Sequence, residues 1–169
     1  MIKAHRRENL DELMKNMFRA IKRIINETSD IKAIHPIYMN PATREASHKI
    51  FGDTDRIRII EPLEVLDFHN LLSRSYLIVT DSDGIQEEAL SLGKLVLDMR
   101  DNTDRPEGIA GTLKLVGMDE EVIYKTFKQL LEEQNEYDKM NKVSNPYGDG
   151  LANKRIADIL KEMKRDTIK

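Results

Sequence analysis

The residues best placed to do chemistry follow the apolar run Tyr76-Leu77-Ile78-Val79, where the chain turns through Thr80-Asp81-Ser82-Asp83-Gly84 into a helical pattern. In an open α/β sheet, such a strand-to-helix turn points backbone amides and a partial positive charge at a phosphorylated ligand. The same spacing describes an ordinary helix start capped by Asp81, Ser82 or Asp83, and local pattern alone favours that plainer reading. A second cluster is the basic turn Ala4-His5-Arg6-Arg7-Glu8-Asn9. Histidine there could move a proton near neutral pH, and a cationic side chain could stabilise developing negative charge. A solvated basic turn is the alternative. His35, His48 and His69 show no metal-ligand spacing with one another or with acidic residues, so no metal is assigned.

These groups need a scaffold, and the apolar pattern supplies one. Leu10, Leu13, Met14, Met17, Phe18, Ile21, Ile24 and Ile25 fall on one face of a helix over residues 10 to 26, with Asn9 and Glu12 as a capping pair. Asn40-Pro41 starts a helix over 41 to 51, and Pro62 starts one through about Ser73. Asp119 caps a helix that carries Val122, Ile123, Phe127, Leu130 and Leu131, with Met118 stapled against Ile123, and helices are expected over 119–143. Ala152, Ile156, Ile159, Leu160 and Met163 mark a last helix over about 151 to 164. Strands are expected at 31–35, 57–60, 76–80, 95–99 and 113–116. Their alternation with helices predicts a parallel sheet covered on both faces. Only Met1-Ile2-Lys3-Ala4 precede the basic turn, so the chain is expected to begin partway through a strand.

At 169 residues the chain has the size of one domain and room for a substantial core. Its net charge of -3 argues against the electrostatic footprint of nucleic-acid binding. The absence of cysteine removes disulfides and thiolate metal sites and fits a reducing compartment. No apolar run is long enough to span a bilayer, and the expectation is a cytoplasmic protein without membrane association.

The two turns, the run Ser91-Leu92-Gly93-Lys94-Leu95-Val96-Leu97, the loop Arg100-Asp101-Asn102-Thr103-Asp104-Arg105-Pro106-Glu107 and the segment Asn145-Pro146-Tyr147-Gly148-Asp149-Gly150 occur in one order. Together they resemble the C-terminal half of the non-hydrolysing UDP-N-acetylglucosamine 2-epimerases, over nearly the whole chain. The resemblance implies residues 1–169 as a single Rossmann-like nucleotide-sugar-binding domain, the second domain of a GT-B-type enzyme whose N-terminal domain is absent. It implies UDP or a UDP-sugar as ligand, no metal or nicotinamide cofactor, a separate N-terminal domain polypeptide as partner, and a homodimer. By the same resemblance Ser82 and Gly84 meet the diphosphate and Glu88 accepts hydrogen bonds from the ribose hydroxyls. Phe68 packs near the uracil, though an aromatic residue on a helix is more often simply core. His5 and Arg7 edge the active site, with His5 catalytic, and Arg105 shapes the cleft wall. The acid-base residues for C2 would lie in the absent domain, so the chain alone should be inactive. A non-catalytic module derived from the family is the competing reading.

Several residues depart from the family pattern. Asp83 replaces a glycine, Leu95 a proline and Asp11 a glycine, Tyr38 stands where histidine is common, and the segment between Glu107 and Gly111 is one residue short. Asp98 interrupts an apolar strand. The Asp83 carboxylate, about 6 Å from a diphosphate at an effective dielectric of about 20, is expected to repel it by roughly 3 kcal/mol. It is also expected to deny the turn a glycine conformation.

Overall fold

The computed structural model describes residues 1–6, 12–104, 106–110, 112–141 and 146–167. In chain order the elements are β1 (Ile2–Lys3), α1 (Glu12–Glu27), β2 (Ala33–Pro36), α2 (Pro41–Phe51), β3 (Ile57–Ile60), α3 (Val65–Arg74) and β4 (Leu77–Thr80). There follow α4 (Asp83–Ser91), β5 (Leu95–Asp98), a 3-10 turn (Pro106–Ala110), β6 (Leu113–Leu115), α5 (Glu120–Glu132), α6 (Gln134–Asn141) and α7 (Ala152–Thr167). Every strand pairing is parallel, in the ladders β1-β4-β5-β6 and β2-β3. β1 and β2 are neighbours. His35 Nδ1 lies 3.1 Å from the Ile2 carbonyl and Lys3 Nζ donates to the Pro36 carbonyl at 3.2 Å. The strands therefore run β3-β2-β1-β4-β5-β6, the order of a doubly wound Rossmann-like sheet.

Alternation along the strands sends side chains to two separate cores. Leu77, Val79, Leu95 and Leu97 join Phe18, Ile21, Ile24, Phe51, Ile123 and Phe127 from α1, α2 and α5. Their neighbours Ile78 and Val96 face the opposite way, onto Leu72, Ile85, Ala89 and Leu90 from α3 and α4. Helices thus cover both faces, as the alternating sequence requires. The anticipated stripe of α1 is buried at Met14, Met17, Phe18, Ile21, Ile24 and Ile25. Asn9 lies outside the described residues, while Glu12 pairs with Lys15 and Arg19 on the surface.

The Asn40 side chain accepts from the Ala42 amide at 2.9 Å, with Pro41 in the first turn of α2. Asn40→Ala should lower stability by about 1 kcal/mol in urea unfolding, because one first-turn amide loses its acceptor. Asp119 caps α5 through the Val122 amide at 3.0 Å. One helix boundary differs from expectation. α3 begins at Val65 rather than Pro62, because a proline's fixed φ suits an extended approach as well as a helix, and Glu64 is extended at ψ 155. The helices expected over 119–143 are α5 and α6, separated at Glu133, whose φ of -107 and ψ of 86 are not helical.

α7 has the anticipated apolar spacing but not a buried face. Ile156 is 58% exposed and Met163 61%, with Leu151, Ile159 and Leu160 similar. Among the described residues, no helix is long and apolar enough to cross a membrane.

Candidate functional site

Three parallel strands end side by side, and their exits carry the polar side chains. β4 leads into Asp81, which is fully buried and accepts from the His5 amide at 3.0 and 3.2 Å and the Arg6 amide at 3.0 Å. One carboxylate thus fastens the turn after β1 to the turn after β4. Thr80 reinforces it, donating its hydroxyl to the Lys3 carbonyl at 2.6 Å while accepting from the Ser82 amide at 3.1 Å. The His5 ring packs against Tyr38 at a 33° tilt with centroids 4.7 Å apart, and its Nδ1 lies 3.9 Å from Asp81 Oδ1. Burial lowers its pKa below the ordinary value, Lys3 and Arg6 add to that, and Asp81 opposes. His5 is therefore mainly neutral at pH 7 and suited to proton transfer rather than to serving as a standing cation.

Ser82 is the N-cap of α4, yet its hydroxyl makes no capping bond. The first bond of the helix runs from the Gln86 amide to the Ser82 carbonyl, so the amides of Asp83, Gly84 and Ile85 precede the intrahelical ladder. Gly84 is exposed and has no positive φ, and a Cβ added there would meet nothing within 4 Å. Neither packing nor backbone geometry of this protein requires glycine at that position, which leaves open space above the helix start.

Beside this turn lies a buried charge network. Arg6 Nη2 donates to Asp83 Oδ2 at 3.1 Å, and Arg100 Nη2 lies 2.5 Å from Asp83 Oδ1. Arg100 Nε sits 3.1 Å from both oxygens of Asp98, which also accepts from Gln86 Nε2 at 2.7 Å. Thr103 closes the ring, accepting from Arg100 Nη2 at 2.7 Å and donating to Gln86 Oε1 at 3.2 Å. Burial pushes the Asp98 carboxyl up to about 6, against the pull of Arg100, with Asp83 and Asp81 pushing the same way as burial.

One turn along α4, Glu88 lies 3.2 Å from His69 Nε2 of α3. Both line an open groove of about 390 Å³ with Glu87, Ser91, Leu92 and the Tyr147–Gly150 segment. Another cavity, of about 370 Å³, is lined mainly by apolar side chains such as Ile21, Ile25, Leu77 and Phe127. It opens near Met1, Ser75 and Tyr76, at the opposite end of the strands from the polar turns, and offers no such convergence of charges.

A sequence model of the family described as UDP-N-acetylglucosamine 2-epimerase matches residues 1–161. The chain belongs to that family. It is 59% identical over 161 residues to the UDP-N-acetylglucosamine 2-epimerase of Bacillus subtilis (strain 168), covering 95% of this chain and 42% of that protein. The S. aureus MnaA–UDP co-structure superposes with a TM-score of 0.93 at 47% identity, over 97% of this chain and 45% of that one. The UDP-GlcNAc 2-epimerase of Neisseria meningitidis, solved bound to UDP-GlcNAc, gives 0.91 at 42% identity, over 95% and 44%. The chain thus spans less than half the length of these relatives and matches their C-terminal half.

Of the residues proposed from the epimerase resemblance, His5, Ser82 and Gly84 come together at the strand ends, and Glu88 stands on the adjoining groove. Phe68 is half-buried on α3 against the Leu72–Ile78 core, with Lys3 Nζ 5.9 Å from its ring. It is partly core, as its position on a helix suggested. Arg7 and Arg105 lie outside the described residues. The account of Asp83 needs correction on both counts. It is the first residue of α4, so the turn asks for no glycine conformation, and its charge is matched by Arg6 and Arg100. Sequence reasoning passed over Arg6, Arg100 and the tethering role of Asp81. Their signal was position, since each lies within three residues of a strand's C-terminal end, where a parallel sheet binds ligands.

Proposed function

We propose that this chain is the UDP-binding half of a UDP-N-acetylglucosamine 2-epimerase, contributing to interconversion of UDP-GlcNAc and UDP-ManNAc only with a complementary N-terminal half. The observation that carries the reading is the start of α4 at the strand ends: an uncommitted Ser82 hydroxyl, first-turn amides and open space over Gly84. That arrangement suits a diphosphate. Glu88 suits two adjacent ribose hydroxyls, Phe68 a face of the base, and Arg7 and Arg105 the rim of the cleft. His5, held neutral beside Asp81, is the proton-transfer group on this side. The exposed stripe of α7 supports a partner polypeptide that covers Ile156, Ile159, Leu160 and Met163. A cytoplasmic location and a homodimeric assembly complete the proposal.

UDP added to isotopically labelled protein should shift the amides of Ser82, Gly84 and Glu88 first. Shifts confined to α5 and α6 would overturn the site. Glu88→Gln should weaken UDP binding about tenfold in calorimetry, by removing a charged acceptor. The purified chain should show no interconversion, and addition of the N-terminal portion of a close relative should produce it. A non-catalytic nucleotide-binding module is favoured by the ion-paired state of Asp83. Its mark would be UDP binding that persists while the complemented mixture stays inactive.

A further inference from the structure

Arg6, Asp83 and Arg100 are 77 and 17 residues apart along the chain, yet meet at the first turn of α4. The meeting is costly to arrange. Arg100 is only 3% exposed, and its Nη1 has no hydrogen-bond partner among the described residues. A buried guanidinium nitrogen left over, beside a helix N-terminus and a second arginine, is the donor set that a multivalent oxyanion satisfies better than one carboxylate. Asp83 supplies only two oxygens, one to each arginine. Asp98 holds the same guanidinium from the other side and keeps it in place.

We propose that Asp83 is an internal counter-ion occupying the anion position at the start of α4, so that a phosphorylated ligand binds by displacing its carboxylate from Arg6 and Arg100. The proposal rests on the nucleotide-binding reading of this turn and adds a residue that sets its affinity for phosphate. Direct repulsion is not the mechanism, because the two arginines already balance the charge. Affinity is lowered instead by competition: the ligand's phosphate and the Asp83 side chain contend for one set of donors. The nucleoside portion of a ligand takes no part in that contest.

Calorimetric titration of the parent, Asp83→Asn and Asp83→Gly with pyrophosphate, UDP and uridine tests this. Both variants should bind pyrophosphate and UDP at least tenfold more tightly than the parent, with uridine binding unchanged. Equal UDP affinity in all three proteins would overturn the counter-ion while leaving the nucleotide site standing. No binding of UDP or pyrophosphate by any of them would overturn both. In the parent, which needs no substitution, pyrophosphate should shift the Arg100 Nε–H resonance. An unmoved resonance at saturation would overturn the proposal even if a variant failed to fold.

Discussion

Arg100→Met should destabilise the protein by about 1–2 kcal/mol at pH 7 in urea unfolding, because a carboxyl that already stands at about 6 escapes the lost counter-charge by taking up a proton, at 1.36 kcal/mol per pH unit. The loss falls mainly on Asp98. Asp83 retains Arg6, whereas Asp98 is fully buried on a central strand and, among the described residues, would keep only the Gln86 amide. With Arg100 in place its carboxyl already stands at about 6, and without the cation it must rise further. At pH 5 Asp98 is mostly protonated with or without the cation, so the deficit should nearly vanish. Asp98→Asn in the Arg100→Met background should recover at least half of the loss, since a neutral amide needs no counter-charge. A single variant within about 0.5 kcal/mol of the parent would mean that the network contributes nothing to the fold.

The features that were legible beforehand are those fixed by neighbours in the chain. Asn40 and Asp119 cap because the amide each accepts from lies two or three residues away. The strand at 57–60 needs only its own apolar run. Pro62 was harder, since a proline permits two conformations. α7 shows the limit most clearly. Its stripe could be read from spacing, but whether a stripe is covered depends on a surface elsewhere. The site divides in the same way. Ser82, Gly84 and Glu88 belong to one segment and one pattern, so they could be placed together. The partners of Asp83 and Asp98 are set by the register of β1, β4 and β5, with Ile2 opposite Val79 and Thr80 opposite Asp98. Two acidic residues that looked like separate irregularities converge on one guanidinium, and no linear pattern announces that.

His35 and Asp98 should tilt the stability of the protein in opposite directions as pH falls. His35 is buried, with its ring nitrogens 3.1 Å from the Ile2 carbonyl and from the Ser47 hydroxyl, and burial lowers its pKa from 6.5 to about 4. The unfolded chain takes up this proton first, so the contribution of His35 is complete above pH 6.5 and is lost as pH falls toward 4. The full loss is about 3 kcal/mol, at 1.36 kcal/mol for each unit of difference. Asp98 is the reverse case, raised from 3.8 to about 6, so the folded state holds its proton more tightly. Its contribution is complete below about pH 3.8 and is lost as pH rises toward 6, again by about 3 kcal/mol. Between pH 4 and 6 the two slopes therefore oppose each other in the parent. Asp98→Asn removes one slope and should make the protein lose stability more steeply on acidification than the parent does. His35→Gln removes the other and should make the loss shallower. Urea midpoints at pH 4.5, 5.5 and 6.5 measure both differences against the parent, so any titration common to all three proteins cancels. Should both variants move in the same direction, at least one of the two groups is not titrating from the buried position assigned to it.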